Sequence, residues 1–199
     1  MTHEPRNGPE APPPDLQRAA EAIEAFLEAL GHPPSSDPEL AETGRRVAEA
    51  WANDLLAGYR EDPAAILADT CASEAPGLVA VTGIATTAVC PHHLLPATGV
   101  VHVAYLPRAK VVGLGALGRL IHARARRMVL QEDLGQQIAD DLVAHLDARA
   151  AGCLVDLVPT CMTARGGREV QARAITVAFA GEADAEFRRA VLDRFPRHP

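Results

Sequence analysis

The spacing of apolar side chains predicts two helices near the start of the chain. Between Asp15, a suitable N-cap, and Gly31, apolar residues recur at helical intervals. The recurring positions are Leu16, Ala19, Ala20, Ile23, Phe26, Leu27 and Leu30. Because proline fits the first turn of a helix, we expect a second helix from Asp37 to about Leu56. Its inner face would carry Leu40, Val47, Trp51 and Leu55.

The pattern changes to extended structure after Gly77. Residues 78–89 are rich in β-branched side chains, and residues 100–106 are also typical of a strand. A turn at 107–110 leads into residues 111–114, which predicts a hairpin with the preceding strand. The remaining elements follow in the order helix, helix, strand, strand, helix, at 116–128, 132–148, 153–158, 170–180 and 185–195.

This order of elements indicates the fold class. Strands joined by hairpins, with helices grouped between them, favour an α+β layer over a doubly wound sheet. Five prolines and little apolar bulk in residues 1–14 predict a disordered arm. We expect a helical region over 15–76 and one domain over 77–199.

Composition narrows the class of protein. The 199 residues carry 26 acidic and 19 basic side chains, a net charge of -7, which disfavours general binding of nucleic acid. No segment approaches the about 18 uninterrupted apolar residues of a membrane helix, and the N-terminus has no secretory pattern. Four cysteines are too few for a disulfide scaffold, so we expect a cytoplasmic protein.

The basic residues are unevenly divided, with 18 arginines and one lysine, Lys110. Base composition of the genome is one interpretation of such a bias. It still means that planar guanidinium forks are plentiful, whereas a site that needs a compact ammonium has one candidate.

The densest group of chemically active side chains is Cys90-Pro91-His92-His93. A thiolate and an imidazole three positions apart can reach one ion, and such ligands suit zinc. Cys161 lies in a polar stretch between two strands and could be a third ligand. Three protein ligands with a fourth position for water are typical of a catalytic zinc site, whereas isolated cysteines are more often buried thiols.

Other candidates have a structural reading beside the chemical one. His92 could carry a proton near such a site, or it could be a hydrogen-bonded core histidine. We expect His102 and His122 to be core histidines, and Cys71 and Cys153 to be structural thiols.

Two further patterns suggest ligand binding. Residues 113–118 spell GxGxxG, but without a βαβ unit around them a tight strand-to-helix turn is the better interpretation than a dinucleotide site. Glu132, after Gln131, could complement a helix dipole or accept hydrogen bonds from the N1–H and 2-amino groups of guanine. The arginines that could grip phosphate, or simply lie on the surface, are Arg46, Arg119, Arg127 and Arg165.

Together these stretches resemble one family. Residues 90–96, Cys-Pro-His-His-Leu-Leu-Pro, are similar to the CEHHLLP signature of GTP cyclohydrolase I. Further matching stretches follow in the family's order, and the resemblance runs from about residue 15 to the end. They lie at 42–47, 105–107, 112–114 with Arg119, 131–132, 161–166 and 186–191.

The resemblance implies a fold and an assembly. The family has the tunnelling fold, in which an antiparallel sheet carries two helices on one face, with further helices at the N-terminus. The units assemble into a ring, commonly a homodecamer, with active sites between subunits.

The resemblance also implies an activity. The family hydrates C8 of GTP with zinc-activated water, releases formate and closes a dihydropterin ring, a reaction that serves tetrahydrofolate biosynthesis. By the match, the zinc ligands are Cys90, His93 and Cys161, and His92 is the catalytic proton carrier. The match assigns substrate binding to Glu132 and Gln131 for guanine, and to Arg46, Arg119 and Arg165 for phosphates.

This sequence departs from the family at several of its functional positions. The histidine two residues before the second cysteine is Pro159 here, and proline cannot move a proton. The lysine and serine of the GLSK-type turn are Ala116 and Gly115, and a basic residue on the second helix is Glu49. The glutamate after the first cysteine is Pro91, and the serine two before that cysteine is Ala88.

These departures leave three hypotheses besides an ordinary GTP cyclohydrolase I. One is a divergent paralogue that stops at ring opening or accepts a purine or pterin-like substrate with fewer phosphates. Another is a non-catalytic subunit of the same ring, and the last is a dinucleotide-binding oxidoreductase built on residues 113–118.

Overall fold

The computed structural model describes residues 13–73 and 77–196. Within them the first predicted helix is confirmed: α1 spans Leu16–Ala29, and the Asp15 carboxylate accepts a hydrogen bond from the Arg18 N–H at 2.9 Å. Most of the predicted arm at 1–14 lies outside the described residues.

The second predicted helix is not continuous. A 3-10 turn at Pro38–Leu40 precedes α2 (Thr43–Ala50), and a π turn at Trp51–Leu55 follows it. The Asp37 carboxylate caps the first turn by accepting the N–H of Glu39, and Glu42, with φ and ψ of -106° and 5°, separates this turn from α2. At the other end the N–H of Leu56 donates to the carbonyl of Trp51, five residues back. The expectation of one continuous helix from Asp37 to about Leu56 was therefore wrong.

The remaining elements complete the α+β class. After a 3-10 turn at Ala57–Arg60, the helices of the described residues are α3 (Pro63–Ile66), α4 (Leu114–Ala125), α5 (Gln131–Leu146), α6 (Thr160–Thr163) and α7 (Ala185–Leu192). The strands are β1 (Thr70–Ala72), β2 (Val79–Val89), β3 (Pro96–Leu106), β4 (Lys110–Val112), β5 (Ala150–Pro159) and β6 (Ala174–Gly181). No helix among the described residues has both the length and the apolar content needed to cross a bilayer.

Four strands form one antiparallel sheet in the order β2-β3-β5-β6. The predicted hairpin between residues 100–106 and 111–114 is wrong, because β4 pairs with β1 instead. Strand β3 has β2 on one side and β5 on the other, so it offers no free edge to β4. The β1–β4 ladder therefore pairs a strand of the expected N-terminal region, 15–76, with a strand of the expected domain, 77–199.

The two faces of the sheet are covered differently. Alternate residues of a strand point to opposite faces, so Val155 and Leu154 belong to separate apolar clusters. Helices α4 and α5 fill the first face, with Leu120 and Ile138 fully buried among their contacts. On the second face, the smaller cluster contains Phe187, Val191 and Phe195, from α7 and the residues after it.

A buried ion pair joins α4 to α5. The Arg124 guanidinium donates two hydrogen bonds of 2.6 Å to the Asp141 carboxylate, and the two side chains are only 10% and 6% exposed. Removing one partner leaves a buried charge without its counter-ion. We expect Arg124→Met to lower the free energy of unfolding by about 3 kcal/mol, measured by urea denaturation.

Arg149→Met is the matched control for that variant. Arg149 pairs with Glu182 at the surface, where both side chains are more than half exposed. Such pairs contribute about 0–1 kcal/mol. Equal losses in the two variants would contradict the stabilising role of the buried pair.

Candidate metal centre

Three strand ends meet at one end of the main sheet, which we call the site end. Strand β2 stops at Val89, β3 begins at Pro96, and these two residues are paired. The last residue of β5, Pro159, is paired with Ala97 of β3. Residues that directly follow β2 and β5 therefore emerge side by side.

The loop after β2 is closed by its own backbone. Cys90 donates its N–H to the carbonyl of Leu95 at 3.0 Å and accepts the N–H of Leu94 at 2.9 Å. The turn requires a left-handed backbone at Leu94, whose φ is 54°, although its side chain has a Cβ and is half exposed. This strained conformation returns the chain to β3 within five residues and directs Cys90 and His93 to the same side.

Cys161 reaches the same place from β5. It lies in the single turn of α6, directly after the strand, and the hydroxyl of Thr160 donates to the carbonyl of Pro96. This bond ties the turn to the start of β3.

The geometry brings together the three residues singled out as ligands. The ligand atoms of Cys90, His93 and Cys161 all lie within 4.8 Å of one another. Cys90 Sγ is 3.8 Å from His93 Nδ1. Adjacent ligands in a tetrahedral zinc site are about 3.5–3.8 Å apart, given Zn–S and Zn–N distances near 2.3 and 2.0 Å. The group could therefore hold a metal ion, and its donor types suit zinc.

Two more sequence candidates lie against this cluster. His92 is exposed, with Nδ1 3.9 Å from Cys90 Sγ. Arg165 extends its Nη1 to 3.0 Å from His93 Nε2. Because a guanidinium only donates, Nε2 accepts in this contact, and Nδ1 is the ring nitrogen turned towards Cys90.

Gln131 and Glu132 begin α5 at the same end of the molecule. Val129 donates its N–H to the carbonyl of Val89, so the start of α5 is held beside the residue that precedes Cys90. Glu132 is exposed in the first turn. The amide of Gln131, however, is committed to the protein: its Nε2 donates to the carbonyls of Val155 and Ala174 at 3.0 and 2.6 Å.

Arg119 lies on α4. It lines a depression with Asp69, Gly113, Gly115 and Ala116, at the start of α4. The end of that helix is nearer the site end, since His122 Nε2 donates to the carbonyl of Ala85 and Met128 is bridged to Val89. Arg119 lies midway along α4, about 9 Å along the axis from Ala125 at 1.5 Å per residue. The described residues that line the depression with Arg119 do not include the cysteines.

The second helix carries the other arginine candidate. Arg46 is exposed on α2. Its neighbour Arg45 donates to Glu42 at 2.8 Å and to both carboxylate oxygens of Glu49 at 2.9 Å, and these contacts raise the pKa of Arg45. The charge of Glu49, which replaces a basic residue of the family, is thus offset by Arg45.

The burial and contacts of Cys153, His102 and Cys71 show which of them are structural residues, as the sequence predicted for all three. Cys153 is fully buried, which raises the pKa of its thiol, as expected for a structural cysteine. His102 is a core histidine whose Nδ1 accepts the N–H of Gly83. Cys71 is exposed on β1, so the expectation for it was wrong.

Arg127 and the glycine motif are also structural. The Arg127 guanidinium donates to the carbonyls of Gly58, Ala123 and Glu61, and burial lowers its pKa. Gly113 connects β4 directly to α4, and residues 114–118 are the first turns of that helix, in line with the tight strand-to-helix turn preferred from the sequence. Because β4 pairs antiparallel with β1, the motif does not follow a strand of a parallel βαβ unit.

One polar pair near the site was missed by the sequence. Asp156 is fully buried on β5, and its Oδ1 accepts from Nε and Nη2 of Arg173 at 2.9 and 2.8 Å. An acidic residue inside an apolar strand was the available signal, since such a group needs a counter-ion.

Comparison with known proteins identifies related sequences. A family profile described as GTP cyclohydrolase I matches residues 19–195. GTP cyclohydrolase 1 of Ralstonia nicotianae is 39% identical over 186 residues, which cover 89% of this chain and 87% of that protein. The protein of the same name from Rhodopirellula baltica is 39% identical over 180 residues, covering 89% and 78%. That from Chromobacterium violaceum is 37% identical over 188 residues, covering 93% and 90%.

Proposed function

The chain belongs to the GTP cyclohydrolase I family, and from this premise we propose that it is a zinc-dependent cyclohydrolase that opens the imidazole ring of a guanine nucleotide. The observation that carries the proposal is the convergence of Cys90, His93 and Cys161 within 4.8 Å at the site end of the sheet. Three soft ligands leave a fourth position open, as in catalytic zinc sites.

The chain's own residues hold and serve that centre. When bound, a zinc ion supplies the nucleophile for C8 of the purine by lowering the pKa of a water molecule towards neutrality. Cys90 and Cys161 contribute thiolates, and His93 contributes Nδ1. His92, exposed beside Cys90, is placed to carry a proton between substrate and solvent. Formate is released after the ring opens, and the proposed final product is 7,8-dihydroneopterin triphosphate.

Two charged side chains near the centre, Glu132 and Arg165, are placed to bind the substrate. The carboxylate of Glu132 can accept the N1–H and 2-amino hydrogens of guanine, since it only accepts when ionised. Ligation of a metal through Nδ1 of His93 puts the ring proton on Nε2. Nε2 then no longer accepts the hydrogen bond from Arg165. That guanidinium is then available for a phosphate.

A shared active site would bring these groups together. Arg119 lines a depression that does not include the cysteines, and Arg46 is exposed on α2, so we infer that a second copy brings its Arg119 and its Arg46 to this centre. The sheet offers β2 and β6 at its edges, and Ile175 and Val177 of β6 are 52% and 42% exposed. Apolar side chains on an edge strand favour association. We therefore propose the tunnelling fold and a homo-oligomeric ring, commonly a decamer in this family.

The cellular location is part of the same proposal. All four cysteines are free, and two of them would serve as thiolate ligands. Thiolates persist in a reducing compartment, which supports a cytoplasmic location.

One observation favours a second candidate substrate. The depression around Arg119 contains the carboxylate of Asp69 and the small residues Gly115 and Ala116, so it offers one guanidinium against one carboxylate. Such a balance suits a substrate with fewer phosphates than GTP.

Turnover of GTP, GDP, GMP and guanosine by the zinc-loaded protein, followed by mass spectrometry, tests both readings. If this depression sets the preference, GMP or guanosine should react with a kcat/KM at least about tenfold above that of GTP, since the Asp69 carboxylate offsets Arg119 and repels the additional phosphates. Full conversion of GTP to dihydroneopterin triphosphate at ordinary rates would exclude this alternative and support the primary proposal. No reaction with any of the four would overturn both.

A further inference from the structure

The amide of Gln131 bridges two strands. Both hydrogens of its Nε2 are directed to main-chain carbonyls, one on β5 at Val155 and one at Ala174, the first residue of β6. Because Gln131 is also the first residue of α5, a single side chain fixes the start of the helix to the site end of the sheet.

The ion pair of Asp156 and Arg173 holds the same two strands one residue away. Asp156 follows Val155, and Arg173 precedes Ala174. Asp156 is fully buried, whereas Arg173 is 40% exposed. A buried carboxylate with a two-pronged guanidinium partner is a strong and directional link. It fixes the point at which residues 164–173, the segment that carries Arg165, enter β6.

We propose that Gln131, together with the Asp156–Arg173 pair, is a positioning device that sets where Glu132 meets the base of the substrate. This inference rests on the proposed function. Gln131 is therefore a positioning residue, acting through Glu132, and not a contact of the guanine ring. Both hydrogens of its amide nitrogen are already engaged, which fixes the orientation of the side chain between the two strands, whereas the Glu132 carboxylate is exposed.

Gln131→Met tests the proposal, since it keeps the length of the side chain and removes both donors. Gln136→Met is the matched control: Gln136 lies on the same helix and its Nε2 donates to the Phe179 carbonyl of β6, but five residues further along. We expect kcat/KM for GTP to fall about 10²-fold in Gln131→Met, the cost of a displacement of about 1 Å. The control should stay within about twofold of wild type.

The preference for GTP over inosine triphosphate separates positioning from stability. Inosine lacks the 2-amino group, so a correctly placed Glu132 discriminates against it. We expect this preference to fall at least about tenfold in Gln131→Met and in Arg173→Met, and to be largely kept in Arg173→Lys. Because Arg173→Met leaves Asp156 without its partner and could fail to fold, Gln131→Met is the deciding variant.

A double variant distinguishes positioning from direct contact. If Gln131 acts through Glu132, Gln131→Met combined with Glu132→Gln should be no worse than Glu132→Gln alone, within about twofold. Multiplying losses would mean that Gln131 touches the base independently and would overturn the proposal. An unchanged preference for GTP over inosine triphosphate in Gln131→Met would overturn it as well.

Hydrogen exchange gives a readout that does not need turnover. Amides at 132–135 and 174–176 should exchange faster in Gln131→Met than in wild type or in Gln136→Met. Unchanged exchange of these amides would contradict the proposal that Gln131 bridges β5 and β6. If wild type turns over no guanine nucleotide, the proposed function fails separately, and the exchange result then decides the bridge on its own.

Discussion

Replacing Cys161 by serine is expected to abolish zinc binding and to lower kcat/KM by at least about 10³-fold. A serine hydroxyl stays protonated at neutral pH and does not replace a thiolate, so two ligands, Cys90 and His93, remain. Without the metal, the pKa of the attacking water rises from about 7 to that of bulk water, so it is no longer an effective nucleophile near neutral pH. Zinc content by elemental analysis and turnover by formate release measure the two effects.

Cys71→Ser is the matched control for this variant. Cys71 is exposed on β1 and lies outside the cluster, so its replacement should leave both zinc content and turnover at wild-type values. A Cys161→Ser protein that retains one zinc per chain would contradict the assignment of the third ligand.

Replacing Pro159 by histidine is expected to raise kcat about 10²-fold. In the family that this chain belongs to, the equivalent position is a catalytic histidine, and a positioned general acid or base contributes about 10²- to 10⁴-fold. Pro159 ends β5 two residues before Cys161 and pairs with Ala97, so an imidazole there begins close to the cluster. Steady-state kinetics across pH should show a new ionisation near 6.5, the ordinary pKa of histidine.

Pro159→Gln separates the imidazole from the backbone effect. Glutamine also restores the N–H that proline lacks, and its side chain is polar, but it does not titrate near neutral pH. An equal gain in both variants would assign the effect to the strand. No gain with histidine would mean that another group already supplies the proton.

The three candidate metal ligands could be found from the sequence because two of them are close in the chain. Cys90 and His93 are three residues apart, and a third cysteine in a polar stretch after a strand completes a recognisable set. The structure adds the reason that Cys161 reaches them: Pro96 pairs with Val89, and Ala97 pairs with Pro159. That register is a property of the whole sheet and cannot be read from one segment.

The role of Gln131 could not be predicted in the same way. The resemblance to the family implied that it helps Glu132 to hold the guanine. Its partners are main-chain carbonyls 24 and 43 residues away, and a carbonyl leaves no mark in the amino-acid sequence. The ion pair of Asp156 and Arg173 escaped notice for a related reason, since the partners are 17 residues apart.

The errors in the fold have the same origin. The hairpin to β4 was predicted from neighbouring segments, but β3 is already paired on both sides, and β4 pairs with β1. Likewise, helical periodicity over 37–56 describes which side chains face inward. It does not show that the backbone leaves the helical range at Glu42, or that the bond from Leu56 to Trp51 widens the last turn.

Carbon-13 NMR of GTP labelled at C8 tests the central claim most directly. The zinc-loaded protein should transfer the label to free formate, because attack at C8 and opening of the imidazole ring detach that carbon from the purine. The same protein stripped of zinc by a chelator should leave the label in GTP, and restoring zinc should restore the formate signal. Labelled GTP that stays intact in the presence of zinc-loaded protein would contradict the account.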